Sequence, residues 1–209
     1  MLSRLLDLLA PPECPACRLA VARLRAFCPA CAATIRRPEG RPRLDLELHA
    51  AFLYGGALST AIVRWKFEDA LGVGGRLCDL FAAELRESIP RGALLVPVPL
   101  HPRRLAERGF NPAALLARRL SRVTGARFAP ELLLRLRDTP KQSRLGRGQR
   151  AENVAAAFVA RAPGPAPIVL VDDVCTTGST LRACQVALAA AGAGPTSAAV
   201  LALAGAAET

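Results

Sequence analysis

The sequence contains 209 residues and has a formal net charge of +11 at pH 7, nearly all of it from arginine, because Lys66 and Lys141 are the only lysines. This length suffices for one full hydrophobic core and a small appendage. The apolar segments are too short or too interrupted for a secretory signal or a membrane span, so we expect a soluble, cytoplasmic protein without membrane insertion.

Two segments support this exclusion. Met1–Ala10 is apolar but short and contains Arg4 and Asp7, which predicts a small amphipathic helix. Residues 186–207 have no charge, but Gly192–Ser197 interrupts them, which predicts a buried helix, a turn and a buried strand. The arginine excess favours polyanionic partners such as pyrophosphate, nucleotides or nucleic acid, and a biased genome composition explains it equally well.

Two Cys-Pro-Ala-Cys pairs stand near the start of the chain, Cys14 with Cys17 and Cys28 with Cys31. The spacing is typical of a tetrahedral zinc site with four thiolate ligands. Paired disulfides are the alternative, and the expected reducing compartment argues against them. We predict a zinc-ribbon-like module with structural Zn²⁺ and its linker over residues 1–42, followed by a second domain over 43–209. The remaining cysteines are expected in the core or in loops: Cys78, Cys175 and Cys184.

The segment from Arg18 to Arg43 contains seven arginines and one acid, Glu39. Such a segment suits a nucleic-acid-facing surface of the zinc module. A solvated linker interrupted by prolines explains it as well and is slightly favoured.

His49–Tyr54 is predicted to form a strand, with a turn at Gly55-Gly56. Leu58, Ile62 and Trp65 then recur at helical spacing. The Arg-Trp-Lys-Phe run at 64–67 suits a base-stacking platform, although the position of Trp65 on the apolar stripe favours core packing. Lys66 lies off that stripe and is expected to be free to meet an anion.

A second helix is predicted from about Leu77 to Ser88, and the glycines just before it do not complete a dinucleotide-binding fingerprint. Leu94–Pro99 is the next strand, ended by its prolines, and His101–Arg104 is predicted to be a loop. A helix follows from Phe110 to Val123. Further strands are expected at 155–160 and 197–203.

The most informative segment begins at Ile168. A buried strand precedes Asp172 and Asp173, which are expected to close it, and a loop around Gly178 leads into a helix from Ser179 to about Ala191. A helix N-terminus binds anions through free N–H groups, and a glycine allows close approach to a phosphate. Hydroxyl donors are added by Thr176, Thr177, Ser179 and Thr180. The two acids suit neutral hydroxyls or hydrated Mg²⁺, so the ligand described is a ribose 5-phosphate.

This segment resembles the 5-phosphoribosyl-1-pyrophosphate (PRPP) binding loop of the type I phosphoribosyltransferases. An ordinary strand, turn and helix with an acid pair is the alternative. The resemblance implies an α/β fold with a doubly wound parallel sheet, a phosphate on 176–180, and Mg²⁺ and ribose hydroxyls on the acids. The PRPP-binding residues it implies are Asp172, Asp173, Val174, Cys175, Thr176, Thr177, Gly178, Ser179 and Thr180.

Along almost its whole length the sequence is similar to the ComF-type proteins associated with natural competence. The shared order is a cysteine-rich head, Tyr-Gly before Lys-Phe, Val-Pro-Val-Pro, Arg108-Gly-Phe-Asn111, a polar series and the PRPP loop. The polar series is Arg137, Thr139, Gln142, Arg150 and Asn153. The family usually has Gln after Arg-Gly-Phe-Asn, whereas this chain has Pro112, which suits a first helical position.

The resemblance also implies a basic loop over 139–153 that closes on the pyrophosphate; an ordinary disordered loop is the alternative. The residues expected near the pyrophosphate are Pro99, Arg103, Arg104, Arg108, Lys141, Gln142, Arg144, Arg147 and Arg150. Asp172, Asp173 and Arg150 are the candidate catalytic residues, and Lys66, Asn111 and Asn153 are further candidates.

Two functions fit these expectations. The first is a phosphoribosyltransferase that transfers ribose 5-phosphate from PRPP to an unidentified acceptor. The second, which the family resemblance supports, is an accessory DNA-uptake factor that binds single-stranded DNA, works with other DNA-uptake proteins and keeps the PRPP fold as a binding module. Similarity of fold does not decide between the two.

Overall fold

A five-stranded, entirely parallel sheet forms the centre of the protein. The computed structural model describes residues 12–22, 25–40, 44–68, 71–136 and 157–205. In chain order the strands are β1 (Glu47–Leu53), β2 (Leu94–Pro97), β3 (Arg127–Phe128), β4 (Leu133–Arg135), β5 (Phe158–Ala160), β6 (Ile168–Cys175) and β7 (Thr196–Leu203). The order across the sheet is β1-β7-β6-β2-β3, and β4 pairs with β5 in a separate antiparallel ribbon.

The α-helices of the described ranges are α1 (Pro29–Ala32), α2 (Gly56–Phe67), α3 (Leu71–Leu85), α4 (Pro102–Arg108), α5 (Pro112–Thr124) and α6 (Ser179–Ala190). Short 3₁₀ turns follow α3 at Arg86–Ser88 and β3 at Pro130–Leu132. Within these ranges, no helix has both the length and the apolar character needed to cross a membrane.

Helices cover both faces of the sheet, and β6 shows how the sequence produces this. Val169 and Val171 belong to a core cluster shared with α2, α3 and α5. Their neighbours Ile168 and Leu170 belong to a second cluster, shared with α6 and the β4-β5 ribbon. Because successive strand residues point to opposite faces, a strand buried on both sides is apolar throughout. The predicted α/β class with a central parallel sheet is therefore confirmed.

The chain reverses its direction across the sheet between β2 and β6. After β2 it passes through α5 to the edge strand β3, and after β6 it passes through α6 to β7 on the other side. The two connecting helices lie on opposite faces of the sheet. Ligands of open α/β sheets bind at such a reversal, beyond the carboxyl ends of the strands. The geometry therefore directs attention to the residues that follow Pro97 and Val171.

Two predicted boundaries are wrong. The helix expected from Leu77 begins at Leu71 and includes the preceding glycines. One of these glycines, Gly74, leaves room for the indole of Trp65 to pack against the helix. The loop expected at His101–Arg104 is instead the start of α4. His101 caps this helix by accepting a hydrogen bond from the Arg103 N–H at 3.3 Å, and Pro102 occupies its first turn.

Other elements lie close to their predicted positions. The strand expected at His49–Tyr54 is β1, and the helix expected from Phe110 begins at Pro112. The strands β3 and β4 were not predicted, since two or three residues are too few to establish a periodic pattern.

Candidate functional site

Strand β6 continues past the two acids. Its backbone pairs with β7 through Asp172 opposite Val200 and Cys175 opposite Leu203, and the Ala204 N–H donates to the Cys175 carbonyl at 2.7 Å. The expectation that the acids close the strand, with a turn beginning there, is therefore wrong. The cause is β7, which supplies backbone partners to the end of β6. The turn begins at Thr176 instead.

The two carboxylates nevertheless lie close together. Burial, together with the charge of Asp173, raises the pKa of Asp172 well above its usual range. Asp173 is itself buried, and its Oδ1 accepts a hydrogen bond from the Val174 N–H at 3.0 Å. Closely spaced carboxylates with a perturbed pKa are a feature of functional sites, because a cation or a hydroxyl group relieves their repulsion.

Lys66, at the end of α2, forms an ion pair with Asp173. Both side chains are largely buried, at 19% and 12% exposure. The expectation that Lys66 is free to meet an anion is therefore wrong. The acid it pairs with lies far along the chain, so the hydrophobic pattern of the helix alone did not reveal it.

The loop after β6 has the predicted form. Thr176 and Thr177 are exposed, Gly178 adopts a left-handed conformation with φ +73°, and α6 begins at Ser179. The Thr177 hydroxyl donates to Ser179 Oγ at 3.1 Å and accepts from the Ser179 N–H at 3.4 Å. Exposed hydroxyl groups therefore surround the N-terminus of a 12-residue helix.

Leu44 and Asp45, which precede β1, lie against this loop. A Cβ atom on Gly178 would meet Leu44 Cδ2 at 3.0 Å, so the space beside this glycine is already occupied by a side chain. Arg182, in the first turn of α6, forms an ion pair with Asp45 at 3.0 Å. Nothing in the sequence pattern indicated either contact. Of the other predicted loop residues, Val174 is half-buried, Cys175 is buried in the core and Thr180 is half-buried.

The carboxyl end of β2 meets the same edge of the sheet. The Val98 N–H donates to the Val171 carbonyl at 2.9 Å, which extends the pairing of β2 with β6 by one residue. Asn111 donates from Nδ2 to the Val98 carbonyl at 3.0 Å and accepts from the Ala113 N–H at 3.1 Å. The asparagine thus caps α5 and fixes the segment after β2, which includes the half-buried Pro99.

Two ring contacts join the end of α2 to the segment between α4 and α5. Trp65 stacks on Phe110 with ring centroids 5.9 Å apart, and it is only 1% exposed, which confirms its core packing. The guanidinium of Arg108 lies over the ring of Phe67 at 5.4 Å from the centroid. The Arg-Trp-Lys-Phe and Arg-Gly-Phe-Asn motifs are therefore in direct contact.

The arginines of α4 differ in their surroundings. Arg103 is exposed and pairs with the exposed Glu107 at 3.1 Å. Arg108 is partly buried, and burial lowers its pKa while the nearby charge of Asp173 opposes that change. Arg104 is half-buried. The other predicted pyrophosphate and family-motif residues lie outside the described residues: Arg137, Thr139, Lys141, Gln142, Arg144, Arg147, Arg150 and Asn153.

The four cysteines of the two Cys-Pro-Ala-Cys pairs form one cluster, with all four sulfur atoms within 4.8 Å of one another. Cys17 and Cys28, from different pairs, have their sulfurs 3.6 Å apart. A tetrahedral zinc bound at about 2.3 Å from each sulfur needs sulfur–sulfur distances of about 3.8 Å. All seven cysteines of the chain are free thiols in this structure, so the paired-disulfide alternative is not present. The cluster therefore has the donors and dimensions to hold a metal ion.

The cysteine-containing segment packs directly against α2 and α3. Cys14, Phe27 and Cys28 belong to the same core cluster as Trp65 and residues of α3. Two arginines reinforce the contact by donating to backbone carbonyls: Arg64 to Pro15 at 2.7 Å and Arg76 to Arg25 at 2.6 Å. From the sequence these two arginines are recognisable only as positive charges, because a residue pattern does not indicate which backbone carbonyl groups a side chain contacts.

Some charges of the arginine-rich segment are also used within the protein. Arg18 pairs with Glu68 at 2.8 Å, and Arg37 pairs with Glu84 at 2.6 Å. These two ion pairs connect the segment to the end of α2 and to α3. The linker and nucleic-acid interpretations of the segment both stay predictions.

Curated proteins similar to this chain have names that refer to DNA use and competence. DNA utilization protein YhgH of Salmonella typhi is 31% identical, over 80% of each chain. Competence protein F of Haemophilus influenzae is 34% identical, over 60% of this chain and 58% of its own. Competence protein ComFC of Bacillus subtilis is 29% identical, over 86% of this chain and 79% of its own. No family model matches the sequence.

Proposed function

Because this chain belongs to the ComF family of competence and DNA utilization proteins, we propose that it binds PRPP, or a related ribose phosphate, with Mg²⁺. We further propose that it uses this site while handling single-stranded DNA during uptake, together with other DNA-uptake proteins. The observation behind the proposal is the position of the Asp172-Asp173 pair and the hydroxyl loop, where the strand order reverses between β2 and β6.

The 5-phosphate is assigned to the start of α6. The backbone N–H groups of the first helical turn and the helix dipole favour an anion there, and the exposed hydroxyls of Thr176, Thr177 and Ser179 add donors. The left-handed conformation of Gly178 shapes the loop that presents them.

The ribose is assigned to the two acids. Carboxylate oxygens accept hydrogen bonds from vicinal hydroxyls and are ligands that Mg²⁺ prefers. Burial, and then the charge of Asp173, raise the pKa of Asp172, and such partners would offset both effects. A bound Mg²⁺ would neutralise phosphate charge. Lys66 compensates the charge of Asp173 from the α2 side.

The pyrophosphate is assigned to the segment after Pro99 and to the arginines of α4. Arg108 lies near Asp173, and Arg103 and Arg104 stand on the same short helix. One guanidinium group can donate two parallel hydrogen bonds to a phosphate group, which suits the pyrophosphate of PRPP. The basic residues of 139–153 are assigned to the same role from sequence alone.

The four-cysteine cluster is assigned a structural Zn²⁺. Four thiolates at this spacing are the donor set of closed zinc sites, which leave no position for a substrate. The zinc would then hold together a segment that has little other core of its own.

Calorimetry with Mg²⁺ and PRPP tests the ribose-phosphate site. We expect Asp172→Asn, and Asp172→Asn with Asp173→Asn, to weaken binding by about 30-fold or more, since a hydrogen bond to a charged group contributes about 2 kcal/mol. Asp79→Asn is the matched control, because Asp79 is exposed on α3 and pairs with Arg119. The proposal fails if the parent does not bind PRPP, or if the Asp172 variants bind it as tightly as the parent.

The same samples test the second candidate, phosphoribosyl transfer. Release of pyrophosphate from PRPP in the presence of a nucleobase or single-stranded DNA would identify an active enzyme. Binding without release would identify a binding module.

A further inference from the structure

The two aromatic residues at the end of α2 have opposite environments. Trp65 is 1% exposed, whereas Phe67, two residues later, is 73% exposed. A single exposed apolar side chain is ordinary and carries no argument alone. The surroundings of the Phe67 ring distinguish it from such a residue.

That ring belongs to the rim of the candidate site. The guanidinium of Arg108 covers one face of it, and Arg108 is close enough to Asp173 to respond to its charge. The adjacent residue, Lys66, is paired with the same acid. Since Phe67 remains largely exposed under this contact, its other face meets solvent.

The cations that flank Phe67 and Arg108 on α2 and α4 differ in their availability. Lys66 is paired with Asp173, and Arg103 is paired with Glu107. Arg104 lies one turn before Arg108 on α4 and is close enough to affect its pKa, and no carboxylate of the described residues pairs with it. Arg104, one turn from the guanidinium that covers Phe67, is therefore a cation that the described carboxylates leave open to a phosphate group.

We propose that Phe67, backed by Arg108, is a stacking platform for an unpaired nucleobase of single-stranded DNA, with Arg104 meeting the adjoining backbone phosphate in place of the pyrophosphate of PRPP. An aromatic face with neighbouring arginines is how proteins bind single strands without reading their sequence. A duplex offers no free base face, so the site selects single strands. This inference rests on the proposed role in DNA handling and extends it to particular residues.

The inference assigns the stacking role to Phe67 and not to Trp65. Trp65 stacks on Phe110 within the core and has no free face for a base.

Fluorescence anisotropy with a labelled oligothymidylate of about 15 nucleotides tests the platform. We expect Phe67→Leu, which keeps an apolar side chain but removes the ring, to weaken binding by about tenfold, within the range measured for loss of one base stack. Phe67→Tyr keeps the ring and should bind like the parent. Val63→Ala is the matched control, since Val63 is an exposed apolar residue on the same helix.

An abasic oligonucleotide of the same length separates base stacking from phosphate contacts. We expect the parent and Phe67→Leu to bind it equally. A further measurement uses free thymidine monophosphate. If thymidine monophosphate binds more tightly to the parent than to Phe67→Leu while the oligonucleotide shows no such difference, Phe67 belongs to a mononucleotide site. That result would overturn the assignment to a strand.

Three results overturn the inference: a parent that does not bind the oligothymidylate at low salt, a Phe67→Leu variant that binds it like the parent, or an equal loss on the abasic strand. Calorimetry with PRPP keeps these results apart from the proposed ribose-phosphate site. If the parent binds PRPP and Asp172→Asn does not, the ribose-phosphate site stands whatever the oligothymidylate results show.

Discussion

The ammonium group of Lys66 forms an ion pair with the carboxylate of Asp173, and this contact joins the end of α2 to the carboxyl end of β6. Both side chains are largely buried, so water offers little screening. The pair places a fixed positive charge beside the two acids of the candidate site.

We predict that Lys66→Met lowers the free energy of unfolding by about 3 kcal/mol, because removal of one partner leaves a buried charge uncompensated. Adding Asp173→Asn to Lys66→Met should restore most of the loss. Arg103→Met is the control, since the exposed Arg103–Glu107 pair contributes less than about 1 kcal/mol. Urea unfolding at pH 7 measures all three. Equal losses of unfolding free energy for Lys66→Met and Arg103→Met would show that the buried pair stabilises the protein no more than the exposed pair.

Adjacent glycines of α3 provide a second prediction. A Cβ atom on Gly74 would overlap the indole of Trp65, whereas one on Gly75 would meet no atom within 4 Å. We expect Gly74→Ala to destabilise the protein by about 2 kcal/mol through overpacking. Gly75→Ala should stabilise it by about 0.5 kcal/mol, because alanine is the better helix residue. Thermal unfolding gives the sign of each change, and two changes of the same sign would contradict the packing described.

Part of the candidate site could be predicted because its signals are local. The apolar run of β6, the adjacent acids, Gly178 and the hydroxyls stand within a few residues, and each favours the same strand, loop and helix. The cysteine cluster was equally predictable, since the tight turn within each Cys-x-x-Cys pair directs both sulfurs to one point.

The remainder depends on contacts between distant segments. The partner of Lys66, the room that Gly74 leaves for Trp65 and the position of Leu44 beside Gly178 arise only when α2, α3 and the segment before β1 pack together. The start of α4 was missed for another reason: proline and arginine suggest a loop unless the histidine before them is recognised as a cap.

Gly178 and Gly125 form a matched pair, since both are left-handed, with φ +73° and +74°. A Cβ atom on Gly125 meets nothing, while one on Gly178 meets Leu44. We predict that Gly125→Ala costs about 1 kcal/mol from backbone strain alone and that Gly178→Ala costs more. Leu44→Ala in the Gly178→Ala background should remove the difference. Chemical unfolding measures each step, and identical losses for the two single variants would show that Leu44 does not restrict the loop.

Zinc content gives a fourth prediction. Reduced protein should contain about one zinc per chain, and Cys14→Ser should abolish it, because the four sulfurs lie close enough to serve together as the ligands of one tetrahedral site. Cys78→Ala is the control, as Cys78 is buried on α3 and outside the cluster. Elemental analysis by mass spectrometry measures the content.

Chelation should also lower the melting temperature of the remaining fold. The cysteine segment shares its core with α2 and α3, so losing the metal exposes apolar surface on both sides of that contact. Protein that contains no stoichiometric zinc when reduced, or that keeps it in Cys14→Ser, would contradict the assignment.

The central claim is that a ribose phosphate binds at the carboxyl ends of β2 and β6. The most direct test follows backbone amide resonances of isotopically labelled protein while Mg²⁺ and PRPP are added. We predict that the largest shifts fall on Thr177–Thr180, where backbone N–H groups would meet the phosphate, with smaller shifts at Asp173 and Val98. Resonances of the α5–β3 turn at Gly125, at the opposite end of the sheet, should not move. The account is contradicted if millimolar PRPP leaves the Thr177–Thr180 amides unchanged, or if the largest shifts lie elsewhere.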